Sequence, residues 1–172
     1  FSPDGKVLAS AGGRIYNDDG THGEDGTVRL WSTETHQQIG DPLINERSSG
    51  PALAVSFAPG GEKLAVGYGD RDGMVWDIGT HKLVGTLPGT YGVMPGITYS
   101  HAGSLIAAGD SSNVRIWDGT TYKLLRDVKG QTGSVNAMAF SPDDGHLASA
   151  AQDDTIRIWD PTTGTLVKQL TA

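Results

Sequence analysis

Apolar and polar side chains alternate in short runs along this chain, and the runs are separated by turns rich in glycine, proline and aspartate. Residues 27–31 read Thr-Val-Arg-Leu-Trp and residues 155–159 read Thr-Ile-Arg-Ile-Trp. Alternation with a period of two over about five residues between turns predicts a β-strand. No stretch shows a convincing helical period of 3.6 residues. The pattern therefore predicts an all-β chain made of short strands.

The aromatic residues show that these strands repeat. All tryptophans of the chain lie on one grid, with spacings of 45, 41 and 42 residues. A second aromatic position recurs in another phase and precedes a turn such as Ser-Pro-Asp-Gly, whose proline and glycine favour a tight hairpin. Each repeat then offers four short strands joined by turns. The first set is Trp31, Trp76, Trp117 and Trp159, and the second is Phe1, Phe57, Tyr99 and Phe140.

Two polar positions follow each tryptophan at fixed spacing. An aspartate comes directly after three of the four, and Ser32 takes its place in the first repeat. A threonine stands four residues after every tryptophan, where its hydroxyl can bond to turn backbone. The aspartates are Asp77, Asp118 and Asp160, and the threonines are Thr35, Thr80, Thr121 and Thr163.

The Phe-Ser-Pro-Asp-Gly turn and the Trp-Asp pairs, within a repeat that recurs four times in register, resemble the WD-repeat (WD40) family. The resemblance implies a β-propeller of four-stranded antiparallel blades, here an incomplete ring of about four. Because only Phe1 of a first strand is present, we expect the chain to be a fragment whose remaining blades lie elsewhere in a full-length protein. Residues 40–43, Gly-Asp-Pro-Leu, resemble bacterial multi-repeat members. The expected blades are about 1–46, 47–88, 89–129 and 130–172.

Family blades often carry a structural hydrogen-bond network that joins a histidine, a hydroxyl, an aspartate and the tryptophan. The resemblance places Asp25, Asp70 and Asp153 at its aspartate position, with Ser111 or Ser112 in the third blade. Its histidine slot holds Ser48, Thr90 and Gln131 instead, so no network is expected to be complete and packing should hold the tryptophans. We also expect Trp159 to be packed less tightly than Trp117. The arginines two before tryptophan, Arg29, Arg115 and Arg157, are interpreted as polar strand positions.

One insertion breaks the repeat. The first blade has about 11 extra residues between its second and third strands, at 14–24. An aromatic residue beside acidic ones is typical of a protein-docking loop, while a drifted surface loop is the equal alternative. Metal binding is a poor alternative, because the spacing does not match a calcium loop. The candidate partner-binding residues are Tyr16, Asn17, Asp18, Asp19, His22 and Glu24.

The composition of the chain reduces the number of functions that are compatible with it. The formal net charge is −7 and the basic residues are scattered, which argues against nucleic acid as a partner. No apolar run could span a bilayer, and the absence of cysteine fits a cytoplasmic location. No nucleophile, phosphate-loop or metal motif is present, so no catalytic residue, metal or cofactor is predicted. We expect a non-catalytic scaffold that binds other proteins, within a larger bacterial signalling or regulatory protein. The alternatives are a propeller enzyme whose active site lies in other blades and an array that only spaces other domains.

Overall fold

The computed structural model describes residues 1–12, 14–16, 22–24, 26–45, 50–70, 72–89 and 92–171, and only the backbone for 14–16 and 22–24. These residues form strands joined by turns, and no helix occurs among them, as the sequence predicts. In chain order the strands are β1 (Val7–Ala11), β2 (Arg14–Tyr16), β3 (His22–Glu24), β4 (Thr27–Ser32), β5 (Leu43–Ile44), β6 (Ala52–Phe57), β7 (Lys63–Tyr68), β8 (Gly73–Asp77), β9 (Lys82–Leu87), β10 (Gly96–Tyr99), β11 (Leu105–Gly109), β12 (Asn113–Asp118), β13 (Leu124–Lys129), β14 (Val135–Phe140), β15 (Leu147–Ala151), β16 (Thr155–Trp159) and β17 (Leu166–Thr171).

Four antiparallel sheets follow one another along the chain and form four propeller blades. Blade 1 is three-stranded, in the order β1-β4-β5. Blades 2, 3 and 4 are four-stranded, in the orders β6-β7-β8-β9, β10-β11-β12-β13 and β14-β15-β16-β17. In blades 2, 3 and 4 each strand pairs with its neighbour in sequence, because short turns return the chain at once. In blade 1, β1 pairs with β4, since β2 and β3 lie between them in the chain and pair with each other. The all-β propeller predicted from the repeat is thus confirmed.

The connections divide between two ends of the blades. At one end, here called the turn end, lie the tight turns at 2–6, 58–62, 100–104 and 141–146 and those that follow each tryptophan. At the other, the loop end, lie the connections between second and third strands and those between blades. Backbone hydrogen bonds join the two kinds of connection there, for example from Met94 N–H to Tyr68 O and from Gln152 N–H to Ser134 O.

The tryptophans pack toward the preceding blade. Trp76 belongs to an apolar cluster with Val28 and Leu30 of blade 1. Trp117 packs with Ala65 and Val75 of blade 2, and the cluster of Trp159 includes residues of blade 3, among them Val114 and Ile116.

The expected difference in packing between Trp159 and Trp117 is small, since Trp117 is 0% exposed. Trp159 is only 3% exposed, because the indole points back onto blade 3 rather than outward from blade 4. The partly exposed tryptophan is Trp31, which lines an open groove with Phe1 and Leu8.

The structure of the turn after each tryptophan explains why aspartate and threonine recur at the same spacing in the repeats. In blade 3, Asp118 Oδ1 accepts hydrogen bonds from the Thr121 N–H and hydroxyl at 2.6 and 2.9 Å. The next residue, Tyr122, has a φ of 60°, in the left-handed region that closes the turn. The same position holds Gly164 in blade 4, with a φ of 76°. Asp77 and Thr80 form the equivalent bonds in blade 2.

Candidate functional site

The insertion in blade 1 lengthens a hairpin of that blade. β1 and β4 pair up to Ala11 and Val28, and beyond them β2 and β3 pair from Arg14 opposite Glu24 to Tyr16 opposite His22. This two-stranded extension, here called the ribbon (14–16 and 22–24), lies at the loop end. At its base the chain passes close to the connection into blade 2, since a Cβ on Gly26 would lie 2.9 Å from Gly50 O.

The predicted partner-binding residues lie on this ribbon or beyond it. Tyr16, His22 and Glu24 are on the paired strands, where the backbone alone is described. Asn17, Asp18, Asp19 and the repeat residue Asp25 lie outside the described residues. The register places Tyr16 opposite His22, so these two share one face of the ribbon near its far end.

Hydrogen bonds from backbone N–H groups to acidic side chains fix the other connections at the loop end. Asp70 Oδ2 accepts the N–H of Gly50 at 3.1 Å, and Asp72 Oδ1 accepts the N–H of Gly89 at 3.0 Å. Both carboxylates lie in the connection between β7 and β8, and each one binds the loop that joins blade 2 to a neighbouring blade. Such charge-assisted bonds keep the loops on a rigid frame.

Blade 4 contains a buried polar network behind its loop. The Trp159 indole N–H donates to Ser149 Oγ at 2.8 Å, and the Gln131 side-chain amide donates to the same oxygen. Arg157 donates from Nη1 to the Gln131 amide oxygen and, at 2.7 Å, to Asp153 Oδ2. Gln131 thus occupies the predicted histidine position, and the arginine links it to the aspartate.

The expectation that every network is incomplete is therefore wrong for blade 4, as is the interpretation of Arg115 and Arg157 as ordinary polar strand positions. Both arginines are only 6% exposed, because each lies on the same face of its strand as the tryptophan, which packs against the preceding blade. A buried guanidinium needs a carboxylate partner, and each arginine has one. Arg29 is partly exposed.

In blade 3 the partner is Asp110, which the sequence analysis missed in favour of Ser111 or Ser112. Asp110 Oδ2 pairs with Arg115 Nη1, while its Oδ1 accepts the N–H groups of Ser112 and Asn113. The sequence contains an indication of this pair, since Asp110 precedes Arg115 by five residues on the other side of a turn. Arg115 Nε also lies 3.6 Å from Asp127 Oδ1.

The same hydrogen bonds set the charge state of Asp153. The Thr155 hydroxyl, the Thr132 N–H and Arg157 hold the pKa of Asp153 well below its ordinary value. Since Thr132 lies between blades 3 and 4 and Thr155 follows the turn into β16, one carboxylate joins both connections. Asp153 is thus a structural residue of the loop end.

The remaining predicted residues lie at the turn end or in the core. Hydrogen bonds from turn N–H groups hold the pKa of each Trp-Asp aspartate below its ordinary value: Thr80 is the main donor to Asp77, Thr121 to Asp118 and Thr163 to Asp160. Three of the tryptophans lie between blades, and Trp117 donates its indole N–H to Pro88 O at 3.0 Å. These residues have structural roles.

Within the described part of the chain, no group of three or more histidine, aspartate or glutamate side chains is arranged to hold a metal ion. The described residues also include no helix that is long and apolar enough to span a membrane.

Comparison with known proteins gives a family. The model of the WD domain, G-beta repeat, matches residues 1–32, 81–118 and 122–160. Protein HIR1 of Gibberella zeae is 29% identical over 167 residues, which cover 82% of this chain and 15% of that protein. Transcription initiation factor TFIID subunit 5 of Caenorhabditis elegans is 29% identical over 143 residues, covering 83% of this chain and 20% of that protein. Echinoderm microtubule-associated protein-like 2 of Mus musculus is 33% identical over 94 residues, covering 55% of this chain and 14% of that protein.

The chain therefore spans a fifth or less of the length of these relatives. All three come from eukaryotes, so the resemblance of residues 40–43 to bacterial members finds no support in them.

Proposed function

The chain belongs to the WD domain, G-beta repeat family, and we propose that it is a non-catalytic protein-interaction module of a larger regulatory protein. Stiff blades that present fixed loops suit recognition of other proteins. Two relatives are named as a subunit of a transcription initiation factor and as a microtubule-associated protein, and both names denote association with other macromolecules. A cytoplasmic location and the absence of a nucleic-acid partner remain predictions, which cell fractionation and a nucleic-acid binding assay would test.

The ribbon of blade 1 is the proposed docking element. The other three blades connect their second and third strands without any comparable extension, so folding does not require it. Its paired strands give a partner a defined surface, and its aromatic Tyr16 is of a residue type that anchors interfaces. The acidic residues Asp18 and Asp19 between the two strands would attract a basic partner.

Deletion of residues 14–23 in the full-length protein tests this role. We expect the melting temperature to stay within about 2 °C of the wild type, since the change removes a surface extension. Affinity purification from cells should then lose at least one partner that the wild type recovers. If every recovered partner binds the deletion variant with unchanged affinity, the ribbon has no docking role.

A charge-reversal pair separates electrostatic attraction from loss of shape. Asp18→Lys with Asp19→Lys should slow association with that partner, and the effect should shrink at high salt. The matched control is Glu34→Lys with Asp41→Lys, which changes the charge equally at two exposed positions of the same blade outside the ribbon. An equal effect of both pairs would mean that net charge alone attracts the partner.

A further inference from the structure

A second surface lies at the turn end, between blades 1 and 2. An open cleft of about 700 Å³ separates the first turn of blade 1 from the two turns of blade 2. It has both apolar and acidic walls. The apolar ones are Pro3, Val7, Pro59 and Ile78, and the carboxylates are Asp4, Glu62 and Asp77.

The next junction shows what occupies the equivalent space. Val7 pairs with Ser32 at the start of its strand, and the equivalent residue of blade 2 is Lys63, which pairs with Asp77. The Lys63 side chain crosses to blade 3, where its Nζ lies 5.5 Å from the centre of the Tyr122 ring. Between blades 2 and 3 an alkylammonium therefore fills the position that the short Val7 leaves open.

The junction between blades 3 and 4 is closed in another way. There the equivalent residue is Leu105, which packs against the apolar cluster shared by blades 3 and 4. Asp144 also bridges the two blades, because its carboxylate accepts the N–H groups of His101 and Ala102 at 2.7 and 2.8 Å. Between blades 1 and 2 the residue at the Tyr122 position is His81, whose Nδ1 lies 2.9 Å from Asp41 O, outside the cleft lining.

The cleft has the chemistry that a lysine side chain needs. A lysine stem packs against apolar surface while its ammonium stays near water and carboxylates. Hydrogen bonds hold the pKa of both Asp4 and Asp77 below its ordinary value, mainly from the Ser2 hydroxyl and from the Thr80 N–H, so both carboxylates are ionised at neutral pH. The Lys6 ammonium lies 4.0 Å from Asp4 Oδ2, but an exposed pair at that distance is weak and easily exchanged.

We propose that the cleft between blades 1 and 2 binds a lysine side chain of a partner protein, in the place that Lys63 occupies at the next junction. This surface lies at the opposite end from the ribbon and does not depend on the ribbon's role.

The test is a nuclear magnetic resonance titration of the whole chain with the pentapeptide acetyl-Gly-Gly-Lys-Gly-Gly-amide. The matched peptide carries norleucine, which keeps the stem and removes the charge. We expect the lysine peptide to shift the backbone amides of Gly60, Gly61 and Gly79, and the norleucine peptide to leave them in place. Equal shifts with both peptides, or shifts spread over the whole surface, would overturn the proposal.

Two variants sharpen the result. Glu62→Gln removes one exposed wall charge and should weaken binding about two- to fivefold, the range of an exposed ion pair. The control Glu34→Gln removes an exposed charge outside the cleft and should change nothing. Equal loss in both variants would show unspecific attraction to a negative surface.

Val7→Lys supplies the missing lysine from within the chain. It should fill the cleft as Lys63 fills the next one and abolish peptide binding, whereas Val7→Met should retain it. Unchanged binding by a folded Val7→Lys chain would contradict the proposal. If Val7→Lys does not fold, the Glu62→Gln comparison decides. Peptide binding should persist after deletion of residues 14–23, so this proposal and the docking role of the ribbon fail separately.

Discussion

Blades 4 and 2 hold the same tryptophan by different means. In blade 4 the Trp159 indole N–H donates to Ser149 Oγ, and the Gln131 amide links that oxygen to the buried Arg157. In blade 2 the Trp76 indole N–H makes no hydrogen bond of ordinary length with a described residue, and the polar group beside it is the buried Tyr68 hydroxyl. The indole of Trp76 packs in an apolar cluster of blades 1 and 2 that includes the Tyr68 ring.

The difference extends to a pair of facing positions. Ser149 lies opposite Arg157 in blade 4, and the equivalent pair in blade 2 is Val66 opposite Met74. A buried arginine or hydroxyl without a partner is costly. In blade 3 the pair is Ala108 opposite the buried Arg115, whose charge is met by Asp110 instead. The comparison teaches that the repeat preserves the tryptophan and the strand register, while its polar support varies from blade to blade and each buried charge keeps a partner.

Removal of the indoles should have the largest effect. Trp76→Ala and Trp159→Ala should each cost about 3–5 kcal/mol, because both side chains are buried against the preceding blade. Trp31→Ala should cost less, about 1–2 kcal/mol, since its indole lines an open groove. Urea unfolding of the three variants measures this order. A cost for Trp31→Ala equal to the other two would contradict the packing direction described above.

Loss of the buried arginine should come next. Arg157→Met installs the blade 2 residue and should cost about 3 kcal/mol, because Gln131 and Asp153 lose a buried donor. If the pair acts as a unit, Ser149→Val with Arg157→Met should cost less than the sum of the single changes. Strictly additive free energies of unfolding in this double-mutant cycle would show that the two positions are independent.

A smaller effect isolates the indole N–H. Trp159→Phe and Trp76→Phe remove similar volumes, but the first also removes a donor to Ser149. We expect Trp159→Phe to cost about 1 kcal/mol more than Trp76→Phe, the net value of one buried hydrogen bond. Equal costs in urea unfolding would mean that the N–H bond contributes nothing.

The smallest expected effect is on the dependence of the free energy of unfolding on acidic pH. The folded-state pKa of Asp153 lies below its ordinary 3.8, so its contribution is present above that value and is lost as pH falls toward the folded pKa. The same sign holds for Asp77 and Asp160. Asp153→Asn should therefore lose less stability than the wild type between pH 6 and pH 3. Urea midpoints across that range provide the measurement, and parallel curves would refute the assignment.

The local features of the fold could be predicted from the sequence because they depend on neighbouring residues. The Pro-Gly turns, the alternating strands and the Asp-Thr turn after each tryptophan are all settled within about five residues. The buried networks could not be predicted in the same way. Asp110 stands one position away from the expected slot, and only the facing strand shows that it reaches Arg115.

The candidate surfaces divide in the same manner. The sequence by itself located the insertion at 14–24 by its length, and repeated aromatic residues determined the number and order of the blades. Only the tertiary structure decided which face of each blade a tryptophan covers and how each junction is closed. One repeat position holds three different residues with three outcomes. Val7 leaves an open cleft, Lys63 reaches an aromatic ring, and Leu105 joins an apolar cluster. The outcome depends on side chains of the next blade, about 40 residues along the chain, which local patterns do not determine.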